Sequence, residues 1–203
     1  MQGDGRSRER LLVEGRVSSP APALHSFPPS PSDPRDNGPV KLYVLRHGPA
    51  EDNAPSGLDA DRALTSSGRD RVRDVAKALV DADELPLTIV TSPLVRCVQT
   101  SEIVALVTKL SHRDGMVETR RELAPGGDSI GLARTFAAEA RARILFCGHE
   151  PDLSHLVSTL LGERMSVPMQ KAMVVSLQLA SDGAAKLRFI LDPKTLVFEN
   201  DAR

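Results

Sequence analysis

Lys41-Leu42-Tyr43-Val44-Leu45-Arg46-His47-Gly48 is a short apolar run of strand formers that ends in an arginine, a histidine and a glycine. Two later runs have the same form. Leu87-Thr88-Ile89-Val90 ends in Thr91-Ser92-Pro93, with Arg96 one turn further on. Ile144-Leu145-Phe146-Cys147 ends in Gly148-His149-Glu150-Pro151. Between them lie stretches with helical periodicity. Val72, Val75, Ala76, Leu79 and Val80 predict a helix from a cap at Ser66 or Ser67 to about Asp83. Ser92-Pro93 reads as cap and first helical residue of a second helix that runs to about Lys109. Ser129–Arg141 and Pro151–Leu161 read as two more helices, and Val117–Leu123 as a short extended piece.

After residue 170 the period changes. Val175, Leu177 and Leu179 alternate with other residues, Ser181-Asp182-Gly183 signals a turn, and Leu187, Phe189 and Leu191 alternate again. The expected fold is α/β: a three-layer sandwich with a mostly parallel central sheet, helices on both faces and a C-terminal antiparallel hairpin at an edge. Residues 1–39 stand apart. They hold seven of the 15 prolines, balanced charges and a single apolar cluster, Leu11-Leu12-Val13. Such a segment buries too little surface to offset its ordering entropy and is expected to be a disordered tail, or the product of a start codon assigned too far upstream. The folded domain is expected over residues 40–198.

Composition narrows the function. The 203 residues carry a net charge of −1 and contain five Phe, one Tyr and no Trp. A phosphate backbone needs a basic field and single strands need exposed rings, so nucleic-acid binding has no support. No apolar run approaches the ~18 residues of a membrane span, and the N-terminus lacks a secretory signal pattern. Two cysteines, Cys97 and Cys147, are too few for a disulfide framework or a Cys-rich zinc site and fit a reducing cytoplasm. Cys97 reads as a packing residue. His149 and His155 lie six positions apart, which is not the spacing of a helical metal pair. No metal or other cofactor is expected.

In an open α/β sheet the ligand cleft lies beyond the carboxyl ends of the strands. Parallel pairing of the three runs brings Arg46, His47, Arg96 and His149 to one edge, although they span more than 100 positions. Their chemistry suits a phosphoryl group. Arginine presents a planar fork of donors that matches phosphate oxygens, and two of them hold a dianion. A histidine between guanidinium groups has its pKa lowered, stays neutral near pH 7 and keeps a lone pair for attack on phosphorus. Gly48 and Gly148 allow backbone to approach a ligand.

Leu45-Arg46-His47-Gly48 resembles the RHG signature of the histidine phosphatase superfamily, which includes phosphoglycerate mutases and acid phosphatases. The supporting blocks follow in family order: Ala63-Leu64-Thr65-Ser66-Ser67-Gly68, Ser92-Pro93-Leu94-Val95-Arg96-Cys97-Val98-Gln99-Thr100, Glu122-Leu123-Ala124-Pro125-Gly126-Gly127-Asp128 and Gly148-His149-Glu150-Pro151. The chain is most similar to the small SixA-type phosphohistidine phosphatase branch, over about residues 40–195, and the fold this implies is phosphoglycerate-mutase-like. By position, the resemblance implies that His47 is the nucleophile that becomes phosphohistidine. It makes Arg46 and Arg96 the phosphate-holding arginines and His149 the second histidine at the phosphoryl group. Glu122 lies near the proton-donating glutamate of larger members; beside Arg120 and Arg121 it reads more as a solvated charge than as an acid catalyst. Pro49 departs from the acidic residue that many small members carry there, and residues 1–39 have no counterpart in the minimal enzyme.

The function these features imply is a metal-independent phosphatase acting on a phosphorylated protein that carries phosphohistidine. The alternatives are a phosphatase or mutase for a small phosphate ester, and an idle phosphoprotein-binding module that retains the site without turnover.

Overall fold

A computed structural model of the chain describes residues 40–165, 167–180 and 184–200. The tail expected over residues 1–39 and the turn expected at Ser181-Asp182-Gly183 lie outside the described residues. Seven strands form one mixed sheet: β1 (Val40–Arg46), β2 (Thr88–Thr91), β3 (Met116–Thr119), β4 (Ile144–Gly148), β5 (Val174–Leu179), β6 (Ala185–Leu191) and β7 (Phe198–Glu199), in the spatial order β3-β2-β4-β1-β5-β6-β7. The left half is parallel, with Leu42 opposite Ile144 and Thr88 opposite both Ile144 and Met116. The right half is antiparallel, beginning with Leu42 opposite Leu177. The hairpin therefore pairs directly with β1, so that the RHG strand is central, and the two-residue β7 extends the hairpin without a sequence signal of its own.

Four helices cover the sheet: α1 (Ser66–Asp81), α2 (Val95–Val107), α3 (Ser129–Ala138) and α4 (Asp152–Leu161). Strand side chains alternate between two cores, as a two-residue period requires. Leu42, Val44, Val90, Ile144 and Phe146 face Phe136 of α3 and Leu153, Leu156 and Val157 of α4. Tyr43, Leu45, Ile89, Leu145 and Cys147 face Val72, Val75 and Leu79 of α1 and Val104 of α2. All these strand residues are fully buried, so β1, β2 and β4 are apolar on both faces and show no polar alternation. The chain leaves β1 towards the α1 side and leaves β4 towards the α4 side. Adjacent strands whose connections depart on opposite faces open a crevice at their carboxyl ends.

Helix boundaries differ from expectation. Thr65, not Ser66 or Ser67, caps α1, because its Oγ1 accepts the Gly68 N–H at 2.9 Å. The second helix begins at Val95, with Leu94 still extended, so Pro93 lies outside it and Ser92 does not cap it. It ends at Val107, and Leu110–Arg113 form a separate 3-10 turn after Lys109 adopts φ 51°. A left-handed residue cannot continue a right-handed helix. Among the described residues no helix is long and apolar enough to cross a membrane.

Candidate active site

The residues after β1 leave the sheet through a tight approach to α1. A Cβ on Gly68 would lie 2.0 Å from the Pro49 carbonyl oxygen, and one on Gly48 would lie 2.6 Å from Val72 Cγ2. Both positions need the missing side chain so that the loop can rest on the helix N-terminus. The Thr65 N–H donates to the Pro49 carbonyl at 3.1 Å and completes the junction. The Gly48 N–H donates to Thr100 Oγ1 at 3.1 Å, and that hydroxyl donates to the Arg96 carbonyl at 2.7 Å. The loop that bears His47 is thereby fixed to the turn of α2 that bears Arg96.

A second clamp comes from the segment before β5. The Ala172 N–H reaches the carbonyls of Arg46 at 3.0 Å and His47 at 3.1 Å, and the Arg46 N–H donates to the Met173 carbonyl at 3.2 Å. Ala172 does this at φ 68°, a left-handed conformation that costs a residue with a Cβ about 1 kcal/mol. The His47 N–H donates to the Gly148 carbonyl at 3.2 Å, which continues the β1–β4 ladder into the site.

The four residues singled out in the sequence meet at this edge. The rings of His47 and His149 are 5.2 Å apart between centroids, and both side chains are buried. His47 Nδ1 lies 2.8 Å from the Gly48 carbonyl oxygen. That oxygen only accepts, so Nδ1 carries the proton and Nε2 keeps the lone pair. Arg46 donates from Nη1 to the Met169 carbonyl at 2.6 Å. Arg96 donates from Nη1 to the Asp59 carbonyl at 2.8 Å and from Nη2 to Asp59 Oδ2 at 3.1 Å. The Nε atoms of both arginines are buried without a hydrogen-bond partner. An unpaired buried donor costs about 1–3 kcal/mol, and here two of them belong to cationic side chains at one strand edge. A dianion bound at this edge would face both guanidinium groups.

The electrostatics keep both rings neutral. His47 is pushed down from 6.5 to about 3, first by burial, with the charges of His149, Arg96 and Arg46 adding to it and the Gly48 carbonyl opposing it. His149 is pushed down to about 4 by burial and then by Arg96, against the attraction of Asp59. A nuclear magnetic resonance titration is expected to show neither ring gaining a proton between pH 8 and pH 5. Because the folded protein resists protons that the unfolded chain accepts, stability is full above pH ~6.5 and falls with acid towards pH ~3. Each ring contributes a slope of up to ~1.4 kcal/mol per pH unit. A midpoint near 6.5 for either ring would contradict this environment.

Glu122 is not drawn into the cluster. It lies half-exposed on the 3-10 turn Arg121–Leu123, with Oε1 3.8 Å from Arg120 Nη1. Cys97 does more than pack: its sulfur lies 3.4 Å from His149 Nε2, while burial pushes its thiol pKa up. Two participants escaped the sequence reading. Asp59 opens the 3-10 turn Asp59–Asp61 in a stretch with no periodic signal, yet its carboxylate bridges Arg96 and Arg62, with Oδ1 2.8 Å from Arg62 Nε. Desolvation opposes its ionised form, but Arg96 and then Arg62 hold its carboxyl below the usual range. Ser92 was legible as a cap and proves to lie 2.8 Å from His149 Nε2 through Oγ.

Residues 42–142 match the model of the histidine phosphatase superfamily (branch 1). The chain is 32% identical over 157 residues to an uncharacterized protein of Picosynechococcus sp., covering 73% of this chain and 89% of that protein. It is 27% identical over 161 residues to the phosphohistidine phosphatase SixA of Escherichia coli, covering 77% of this chain and 96% of SixA. The structure of the protein histidine phosphatase SixA complexed with tungstate superposes with a TM-score of 0.70 at 27% identity, over 78% of this chain and 100% of that one.

Proposed function

The chain belongs to the histidine phosphatase superfamily, and from that premise we propose that it removes the phosphoryl group of phosphohistidine in a protein, through a covalent intermediate on His47. The observation that carries the reading is the pair of buried, partnerless Nε–H donors on Arg46 and Arg96 at the same strand edge as two uncharged imidazoles. The catalytic domain spans residues 40–198. The reduced, buried thiols of Cys97 and Cys147 fit a cytoplasmic location.

The steps follow from the site. Arg46 and Arg96 hold the phosphoryl oxygens and offset the charge that builds in the transition state. The lone pair on His47 Nε2 attacks phosphorus, an N–P bond forms and the bond to the leaving group breaks. The Nδ1–H bond to the Gly48 carbonyl keeps the ring aimed and stabilises the positive charge that it acquires. Water then attacks the phosphoimidazole, the N–P bond breaks, inorganic phosphate leaves and His47 is restored. His149 donates a hydrogen bond to the phosphoryl group throughout.

The leaving group selects the substrate class. An alkoxide needs a general acid, whereas an imidazole, with an ordinary pKa of about 6.5, departs readily once protonated. Glu122, the acid that the family resemblance suggests, is paired with Arg120 and half-exposed. The cluster therefore suits a phosphoramidate better than an alkyl ester. The test compares turnover of a phosphohistidine-bearing carrier protein with that of an alkyl phosphate monoester, both in the presence of a chelator. At least tenfold higher kcat/KM for the carrier is expected. Faster ester turnover would reassign the substrate to small phosphate esters, and loss of activity in the chelator would reject the metal-free route.

A further inference from the structure

Ser92 directly follows β2 and is fully buried, three positions before the helix that its hydroxyl was expected to cap. Its Oγ lies 2.8 Å from His149 Nε2 and 3.4 Å from the Leu94 N–H, which donates to it. The Cys97 sulfur sits 3.4 Å from the same nitrogen and 3.6 Å from the Gly148 carbonyl oxygen, to which its thiol donates. Among the described residues, the hydrogen-bonding contact of the other ring nitrogen, Nδ1, is with that same sulfur, at 4.0 Å.

We propose that Ser92 is a positioning residue that fixes His149 in the Nδ1–H tautomer, so that a neutral ring presents an N–H donor to the phosphoryl group. A neutral imidazole has one donor and one acceptor nitrogen. The Ser92 oxygen already receives the Leu94 N–H, and its own proton goes to the strongest acceptor in reach. An sp2 ring nitrogen at 2.8 Å outcompetes a thiol sulfur for that proton. On this assignment the Ser92 hydroxyl donates to Nε2, and the ring proton sits on Nδ1. The opposite tautomer would turn a lone pair towards an anion. Burial and Arg96 keep the ring from gaining a second proton, so the tautomer alone decides whether His149 attracts or repels the substrate.

The tautomer assignment stands on contacts within this chain; its kinetic consequence rests on the phosphatase reading. The experiment records two-bond proton–nitrogen correlations of the histidine side chains in the full chain, for the natural protein, Ser92→Ala and Ser92→Thr, together with aryl phosphate kinetics. The natural protein and Ser92→Thr are expected to show a protonated Nδ1 and a bare Nε2 on His149. Ser92→Ala is expected to move His149 towards the Nε2–H form. Its kcat/KM should fall about tenfold, with a weaker affinity for inorganic phosphate. A protonated Nε2 on His149 in the natural protein overturns the proposal even if Ser92→Ala fails to fold. So does an unchanged tautomer in Ser92→Ala. Activity that survives His47→Ala would instead overturn the covalent route through His47 and leave the tautomer result standing.

Discussion

His47→Ala is expected to abolish turnover, with kcat/KM for an aryl phosphate falling at least about 10⁴-fold. That is about 5.5 kcal/mol of transition-state stabilisation. The ring supplies the bond-forming lone pair, and no neighbour can replace it. His149 is the other imidazole in the cluster, but its Nε2 is occupied by Ser92. Cys97 is buried, and its raised pKa leaves negligible thiolate. The fold should tolerate the change, because His47 hangs from a backbone held by Gly148, Ala172 and Thr100 rather than by its own side chain. Circular dichroism should therefore match that of the natural protein. Residual activity above about a hundredth would mean that another group attacks phosphorus.

Arg96→Ala is expected to lower kcat/KM by about 10²–10³, or about 2.7–4 kcal/mol, the usual effect of removing one oriented donor to transition-state charge. Arg96 Nη1 and Nη2 are tied to Asp59, so the guanidinium is held in one orientation with Nε left over. Arg96→Lys should recover little, since an ammonium cannot satisfy Asp59 and present a planar edge together. Inorganic phosphate should inhibit both variants more weakly. Rates within about fivefold of the natural protein would show that Arg46 alone holds the phosphoryl group.

The parallel half of the sheet was legible because its strands are buried on both faces. Leu42–Leu45, Ile89–Val90 and Ile144–Cys147 carry no polar interruption, and each gives way abruptly to polar residues or glycine. Those abrupt ends also marked Arg46, His47 and His149. What escaped depends on contacts across distant positions. Ser92 sits before a proline and looks like a cap, and only the packing of β2 against β4 reveals that its hydroxyl is needed 57 positions away. Asp59 gives no local sign, because its role is set by Arg96, 37 positions on. Ala172 is equally silent, since nothing in its residue type announces a left-handed backbone. β7 is two residues long and owes its pairing to β6.

The central claim is that phosphorus becomes bonded to His47. Quenching the protein during turnover of a labelled aryl phosphate tests it most directly. The expected product is one labelled peptide containing His47, with a phosphoryl group stable to base and released by acid, and no label in His47→Ala. Label on a serine or threonine peptide, label on His149, or turnover with no trapped phosphoprotein in rapid-quench samples would contradict it.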